Sequence, residues 1–408
     1  MRDKFKRSFW YIYLSGLFIS TTLIFTLQGL GLYKSDVRAH ILAGIDPNKK
    51  SYSLLHLSFK IINKGINLIK RGLIEIFSIS AKDVERLYNS NDGVMFYFIM
   101  ALFLSTLILI TILMVKWYFM YKYHGKIDTF NIEILIVALF ILSTIWIPFK
   151  IEGIFSGNVY KGNGSANIWH NPTALICKVF IFPTFYFIVN SFSKYKENKS
   201  YKRDLFLLSI FATLCMFSKP NFLSALIPAY MIYLFIELIY TKMKSFKYSI
   251  FTGIAFIPSV LLLYYQSTLL FDENNRTIIE LGGGWKNSSV NIPVSIILAL
   301  AFPIYVLIIY RKKVLSNMKF TLIWLTQIIS GLQYFFLAEV GKRANHGNFS
   351  WGYSITMSLL FCISAEIFFL EEKFNDKQKK IGTLIFTIHV ISGILYFARI
   401  LLTGKWAI

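Results

Sequence analysis

Long runs of apolar residues, separated by short polar links, dominate the chain. All but one of the runs are continuous over about 18–25 residues, the length at which a helix crosses the hydrocarbon core of a bilayer, and the fifth is shorter. The runs lack the apolar-polar alternation of outer-membrane barrel strands. We therefore predict an all-α fold, a polytopic bundle of about eleven transmembrane helices. The predicted spans are residues 9–31, 94–115, 131–149, 172–193, 205–218, 221–241, 248–267, 291–310, 319–337, 350–370 and 381–402.

The first link, residues 32–93, has a pattern of its own. From 51 to 78, apolar residues recur at three- and four-residue steps, while Lys60 and Lys64 take other positions. This period predicts an amphipathic helix, which either lies in the membrane interface or packs on the transmembrane helices. Because no repeat or soluble domain is evident elsewhere, we expect residues 1–408 to form a single membrane domain.

Composition and charge agree with this interpretation. The chain is 55% hydrophobic and only 16% charged, which is too apolar for a soluble protein of 408 residues. The formal net charge of +22 raises the question of nucleic acid, but most Lys and Arg of the short links lie in every second link, as in a topology signal. We expect membrane lipids and no nucleic acid as partners, an N-terminus in the cytoplasm, and a bacterial cytoplasmic membrane as the location.

The first loop carries the first candidate chemistry, in Ser-Asp-Val-Arg-Ala-His at 35–40. Asp36 follows the first span closely, and charged groups so near a bilayer are unfavourable unless a polar partner meets them. A carboxylate there can accept a proton from a sugar hydroxyl as general base. His40, one helical turn later, can orient Asp36 or contact a phosphate. The alternative is that Asp36 and Arg38 only solvate a helix end.

The next two external links add polar and basic candidates. Trp169 offers a flat face for a sugar ring, and His170 and Asn171 follow it as acceptor- or sugar-binding candidates. Lys178 lies inside the fourth span, where a lysine is a functional candidate by default, and suits a phosphate unless it snorkels to the surface. Lys219, in the tight Ser-Lys-Pro-Asn turn between spans five and six, is a second phosphate candidate.

Two later external links complete the candidate site, unless they are ordinary polar loops. An Arg fork can hold a phosphate bidentately, and Glu and Asn can hold sugar hydroxyls. The glycine run at 282–284 permits close backbone approach to a ligand or the movement of a lid. The donor or phosphate candidates here are Arg276, Lys342, Arg343 and His346, and the acceptor or sugar candidates are Glu339, Asn348 and Trp351.

The layout around Asp36 resembles the GT-C superfamily of membrane glycosyltransferases, in which a long first external loop carries interfacial helices and an essential acid soon after the first span. The resemblance implies inverting transfer of a sugar from a polyprenyl-phosphate-linked donor to a glycan or lipid-linked acceptor on the non-cytoplasmic face, in the making of a cell-envelope polysaccharide. Arg38 stands where an Asp-x-Asp pair would have its second acid, which argues against a metal-dependent mechanism; we predict no cofactor, with a metal possible but not indicated.

Two other functions stay open. A polysaccharide repeat-unit polymerase of the O-antigen or capsule type has a similar length and number of spans, but its large loop usually lies mid-chain. A lipid-linked sugar flippase or transporter needs polar groups along its whole path, and the inner halves of these spans carry few. The transferase hypothesis requires that Asp36, His170 and Arg343 meet in one external pocket.

Overall fold

The computed structural model describes residues 2–48, 53–78, 80–88, 93–147, 149–155, 163–270, 276–341 and 347–405. The chain divides into two compact units. Unit 1 comprises the described residues within Met1–Val137, Ile168–Val179 and Leu395–Trp406. Unit 2 comprises those within Ala138–Asn167 and Phe180–Ile394. The single membrane domain expected from the sequence stays a prediction.

Unit 1 is built around two long apolar helices that pack side by side, α1 and α5. The hydroxyls of Thr21 and Thr22 on α1 lie 2.9 and 3.0 Å from Ser105 Oγ on α5. Hydrogen bonds between small polar residues commonly stabilise pairs of helices in a membrane. The helices that begin in this unit are α1 (Arg2–Gly29), α2 (Val37–Ile45), α3 (Leu54–Phe77), α4 (Ala81–Tyr88), α5 (Val94–Tyr123) and α6 (Thr129–Ile141).

Unit 2 is organised around a helix that is buried along almost its whole length, α14, against which α9, α12 and α13 pack. A short antiparallel pair of strands joins two links, with Thr277 opposite Glu339. The remaining elements are α7 (Pro172–Lys196), α8 (Lys202–Ser218), α9 (Asn221–Tyr240), α10 (Phe246–Leu270), β1 (Thr277–Ile279), α11 (Gly283–Lys286), α12 (Ile292–Tyr310), α13 (Met318–Phe336), β2 (Leu337–Glu339), α14 (Asn348–Ala365) and α15 (Asp376–Thr403). The first turns of α7 and the end of α15 belong to unit 1.

Eight of the helices in the described part of the chain are long and apolar enough to cross a membrane: α1, α5, α7, α9, α10, α12, α14 and α15. With β1 and β2 as the two strands that the described residues form, the architecture is the expected all-α one. These helices indicate an integral membrane protein. The count of eleven spans and the orientation in the membrane stay predictions.

Two local predictions have clear outcomes. The tight turn between the fifth and sixth spans is confirmed, because α8 ends at Ser218 and α9 begins at Asn221. The predicted span 131–149 is too long, since α6 ends at Ile141. Asn167 Nδ2 donates to two carbonyl oxygens of the last turn of α6 and the residue after it, each at 2.9 Å. In a longer helix these carbonyls would accept from backbone N–H groups. Here the Asn167 side chain takes that role, so α6 can end at Ile141 with its last carbonyls satisfied.

The amphipathic helix predicted at 51–78 forms as α3. Ser53 caps its start, because the Ser53 Oγ accepts a hydrogen bond from the His56 N–H. Leu55, Phe59 and Ile66 are buried against the rest of unit 1. A second set of apolar residues stays exposed: Leu57, Ile61, Leu68, Ile69 and Ile76. The structure thus shows α3 packed on the other helices of unit 1. The location of its exposed apolar face in the membrane interface stays a prediction.

Candidate functional site

Asp36 lies at the start of α2, as the N-cap residue of that helix. Its side chain makes no capping hydrogen bond, although an N-cap aspartate commonly uses its carboxylate in that way. The local turn is held instead by Ser35, whose Oγ accepts from the Val37 N–H at 3.1 Å. The Asp36 carboxylate is half-buried, and α2 leaves it available for other partners.

Asn171 is the side chain that holds the Asp36 carboxylate. Its Nδ2 donates to Asp36 Oδ2 at 2.9 Å, and the Asp36 N–H donates to the His170 carbonyl oxygen at 3.1 Å. The Asn171 Oδ1 accepts from the Ala174 N–H at 3.0 Å and from the Thr173 hydroxyl at 2.7 Å. A backbone N–H can only donate, so this contact fixes which end of the amide faces Asp36. Asn171 therefore caps α7 and orients Asp36 at the same time.

The two histidines of the first loop form a pair. His40 Nδ1 lies 3.1 Å from His56 Nε2, and this contact joins α2 to α3. His56 was missed by the sequence reasoning, since nothing in its surroundings marks it except the capping Ser53. Arg38 Nη1 donates to the Leu30 carbonyl oxygen at 2.8 Å, so its charge serves the end of α1.

The other candidates of unit 1 are buried. Trp169 is 2% exposed, and its ring meets Phe397 edge to face at 5.0 Å between centroids. The prediction that Trp169 stacks on a sugar is therefore wrong for this structure, because the ring has no open face to offer. Lys178 is 6% exposed and lies seven residues beyond Asn171, about 10 Å along the axis of α7. A lysine held there brings positive charge into an apolar region.

A second polar cluster belongs to unit 2. Asn348 Nδ2 lies within hydrogen-bonding distance of both Glu339 carboxylate oxygens, at 2.9 Å from Oε1 and 2.7 Å from Oε2. The Asn348 carbonyl oxygen accepts from Asn221 Nδ2 at 2.9 Å. The start of α14, the end of β2 and the start of α9 thus meet at one place, and the sugar-binding role of Glu339 and Asn348 stays a prediction.

Lys219 and Trp351 are in contact in the same unit. The Lys219 Nζ lies 4.4 Å from the centroid of the Trp351 ring, and the two residues are 9% and 7% exposed. This is a cation–π geometry. Trp351 therefore holds a cation where the sequence hypothesis expected it to hold a sugar.

Arg276 lies beside this cluster, because its carbonyl oxygen accepts from the Val340 N–H at 3.0 Å, next to the β1–β2 pair. Its side chain is exposed. The neighbouring glycine run packs tightly on the end of α13. A Cβ on Gly283 would lie 2.8 Å from the carbonyl oxygens of Leu337 and Phe335. The glycines at 282–284 therefore permit close backbone packing, and the idea of a ligand lid there has no support in the structure.

Three candidates, Lys342, Arg343 and His346, lie outside the described residues. The Asp36 N–H donates to the His170 carbonyl oxygen, while the meeting of Asp36, His170 and Arg343 in one external pocket stays a prediction. Among the described residues, no group of three or more His, Cys, Asp or Glu side chains forms a candidate metal centre.

Several acidic residues of unit 2 outside these clusters form ion pairs with lysines. Lys319 lies 2.8 Å from carboxylate oxygens of both Glu366 and Glu371, and Lys194 lies 2.7 Å from Asp204.

Comparison of the chain with protein-family models, with curated proteins and with solved structures finds no match.

Proposed function

We propose that this integral membrane protein is a glycosyltransferase that moves a sugar from a polyprenyl-phosphate-linked donor to a glycan or lipid-linked acceptor. We further propose that it acts at the non-cytoplasmic face of a bacterial cytoplasmic membrane. Asp36 is the general base, Asn171 is its positioning residue, and Lys178 is the cation for the donor phosphate.

The observation that carries the proposal is the hydrogen bond from Asn171 to Asp36. It engages one carboxylate oxygen, Oδ2, in a half-buried carboxylate that the adjoining helix does not use. A general base needs this combination of fixed orientation and access for the hydroxyl that it deprotonates. A carboxylate whose only role was at the start of a helix would be expected to accept a hydrogen bond from an N–H of the first turn.

The proposed reaction is a single displacement. An acceptor hydroxyl gives its proton to Asp36, and its oxygen forms a bond to the anomeric carbon of the donor sugar. The bond from that carbon to the phosphate oxygen breaks, and the electron pair leaves with the polyprenyl phosphate. Attack opposite the leaving group inverts the anomeric centre. A buried lysine in the position of Lys178 favours the charge that develops on the phosphate, and such electrostatic stabilisation is usually the largest catalytic contribution.

The cluster of unit 2 supports a separate binding role. Glu339 and Asn348 offer oxygen and N–H groups suited to sugar hydroxyls, and Lys219 offers a cation suited to a phosphate. We assign these residues to substrate binding, with Arg276 and the three residues Lys342, Arg343 and His346 as further proposed donor contacts.

The test is a transfer assay on purified protein in lipid nanodiscs, with a panel of polyprenyl-phosphate-linked sugars as donors. We expect a covalent product with the wild type and none above background with Asp36→Asn. Asp46→Asn is the matched control, because Asp46 lies at the other end of α2, and its Oδ1 accepts from the Asn48 N–H at 2.9 Å, a role that an asparagine oxygen can fill. Equal activity of wild type and Asp36→Asn would remove Asp36 from the reaction. Transbilayer movement of the donor without a covalent product would show a flippase instead.

A further inference from the structure

The strand β1 in unit 2 has one edge that β2 does not cover. The Glu280 N–H, just after β1, donates to the Phe336 carbonyl oxygen at 2.8 Å. Because alternate residues of an antiparallel strand face its partner, Thr277 and Ile279 direct their N–H and C=O groups away from β2. Within the described part of the chain, β1 and β2 form a sheet of two strands. The edge at Thr277 and Ile279 therefore has no further strand beside it there.

This edge carries exposed apolar side chains. Ile279 is 84% exposed, and Leu281, which closely follows β1, is 73% exposed. An unpaired strand edge readily pairs with another strand, and proteins commonly protect such an edge with a proline, a charged residue or a covering loop. β1 itself contains neither a proline nor a charged residue. The edge is therefore suited to pairing through main-chain hydrogen bonds.

The charges that flank β1 favour a second copy of this chain as the partner. Arg276 precedes Ile278 by two residues, and Glu280 follows it by two. If two copies of β1 pair antiparallel about a two-fold axis at Ile278, Thr277 lies opposite Ile279 of the other copy, and Arg276 lies opposite Glu280. Directly opposite residues share one face of a sheet, and unlike charges there attract. Two charges of the same sign would repel in this register, so the opposite signs make the edge self-complementary.

The ion pair that Glu280 already makes is compatible with this register. Glu280 pairs with Lys286, and the two side chains are 39% and 46% exposed. An exposed ion pair contributes little stability, and a carboxylate has two oxygens that can accept. Because the Arg276 side chain is exposed, Glu280 can accept from Arg276 of the other copy while it keeps Lys286.

We propose that the uncovered edge of β1 pairs with the same edge of a second copy, so that β1 and β2 of both copies form a four-stranded antiparallel sheet in a homodimer. Each copy gives and receives the same contacts, as in most homodimers with two-fold symmetry. Main-chain hydrogen bonds join Thr277 to Ile279 of the other copy, and an ion pair joins Arg276 to Glu280, each contact occurring twice. This interface does not depend on the proposed transferase chemistry.

Disulfide cross-linking of the full-length protein in membranes tests the register. At the two-fold axis the two Ile278 Cα atoms would lie about 4.5 Å apart, within the range that a disulfide bridges. The two Thr277 Cα atoms would lie about 8 Å apart, beyond that range. On mild oxidation we expect Ile278→Cys to give a disulfide-linked dimer at no less than about five times the yield of Thr277→Cys. The native cysteines, Cys177, Cys215 and Cys362, are buried.

Thr277→Cys is the matched control, because Thr277 is exposed whereas Ile278 is half-buried. Random collisions between copies would therefore cross-link position 277 more readily than position 278. A yield from Thr277→Cys that equals or exceeds the yield from Ile278→Cys, or no dimer from either variant, would overturn the proposal.

Exchange of the two charges tests the interface without a new cysteine. By light scattering in a mild detergent we expect a dimer of the wild type, and Arg276→Glu should raise its dissociation constant roughly tenfold or more. Adding Glu280→Arg to that variant should restore the dimer. Arg311→Glu makes the same charge change at an exposed residue beyond α12 and should dimerise as the wild type does. A monomeric wild type, an unchanged dissociation constant in Arg276→Glu, or no recovery in the double variant would contradict the proposal.

Discussion

Asp36 in unit 1 and Glu339 in unit 2 are both half-buried carboxylates held by an asparagine amide, yet the two are held differently. Asn171 contacts one oxygen of Asp36 and is itself fixed by capping α7. Asn348 contacts both oxygens of Glu339. A carboxylate held at one oxygen keeps the other for a proton, whereas a carboxylate bridged at both is better suited to a fixed binding contact.

Under the proposed function, residue type and proximity to a membrane do not by themselves distinguish the general base from a binding carboxylate. Both acids follow an apolar helix closely, and both lie in predicted external links. The difference comes from the position of the partner asparagine. Asn171 precedes a proline that starts a helix, so its oxygen is committed to the helix and its nitrogen is turned outward. Four predictions test this contrast.

The largest effect is expected when each carboxylate is replaced by its amide. Asp36→Asn should lower the transfer rate about 100- to 10,000-fold, as for loss of a general base. Glu339→Gln should lower it at most about tenfold, because Asn348 can still donate to the remaining amide oxygen. Turnover of equal amounts of folded protein in nanodiscs measures both. A greater loss with Glu339→Gln would transfer the role of base to Glu339.

The next effect concerns the two asparagines. Asn171→Ser retains a good N-cap residue but removes the amide that orients Asp36. The rate should fall about 10- to 100-fold, the worth of a hydrogen bond to a charged group, with little change in melting temperature. Asn348→Ser should mainly raise KM for the acceptor. If Asn171→Ser acted only on stability, Asn171 would be a cap and not a positioning residue.

The third effect concerns stability, and it tests the tight backbone packing at Gly283 in unit 2. Gly283→Ala places a Cβ 2.8 Å from backbone oxygens at a φ of +41°, so it should destabilise unit 2 by about 1–3 kcal/mol. Gly65→Ala on α3 is the control, since nothing lies within 4 Å of its added Cβ. Thermal unfolding in one detergent measures both. Equal melting temperatures would show that the contact at Gly283 relaxes without strain.

The smallest effect is expected at the buried Lys219, and the matched change at Lys178 should have a larger one. Lys219→Met should raise KM for the donor about fivefold with kcat unchanged, as for loss of uniform binding. Lys178→Met should reduce kcat as well, because the proposed role of Lys178 is to favour charge on the leaving phosphate. Steady-state kinetics over a range of donor concentrations separate the two. If Lys219→Met lowered kcat and Lys178→Met did not, Lys219 and not Lys178 would be the residue that stabilises the leaving phosphate.

Part of this picture was predictable from local pattern. Continuous apolar runs predict helices wherever they occur, since a backbone in lipid must satisfy its own hydrogen bonds. The three- and four-residue period at 51–78 predicted α3, and Ser-Lys-Pro-Asn predicted the turn between α8 and α9. These features depend on residues that are neighbours in the chain.

Local patterns in the sequence therefore suffice for the helical class, for helices long and apolar enough to cross a membrane, and for the list of polar groups in the links. The tertiary structure alone decided that Asn171 orients Asp36, that Trp169 is buried, that Lys219 meets Trp351 and that α6 ends at Ile141. Each of these depends on a contact between residues far apart in the chain, such as the 135 positions between Asp36 and Asn171. A hydrogen bond over that separation exists only once helix packing has placed its donor and acceptor, and no local pattern encodes that placement.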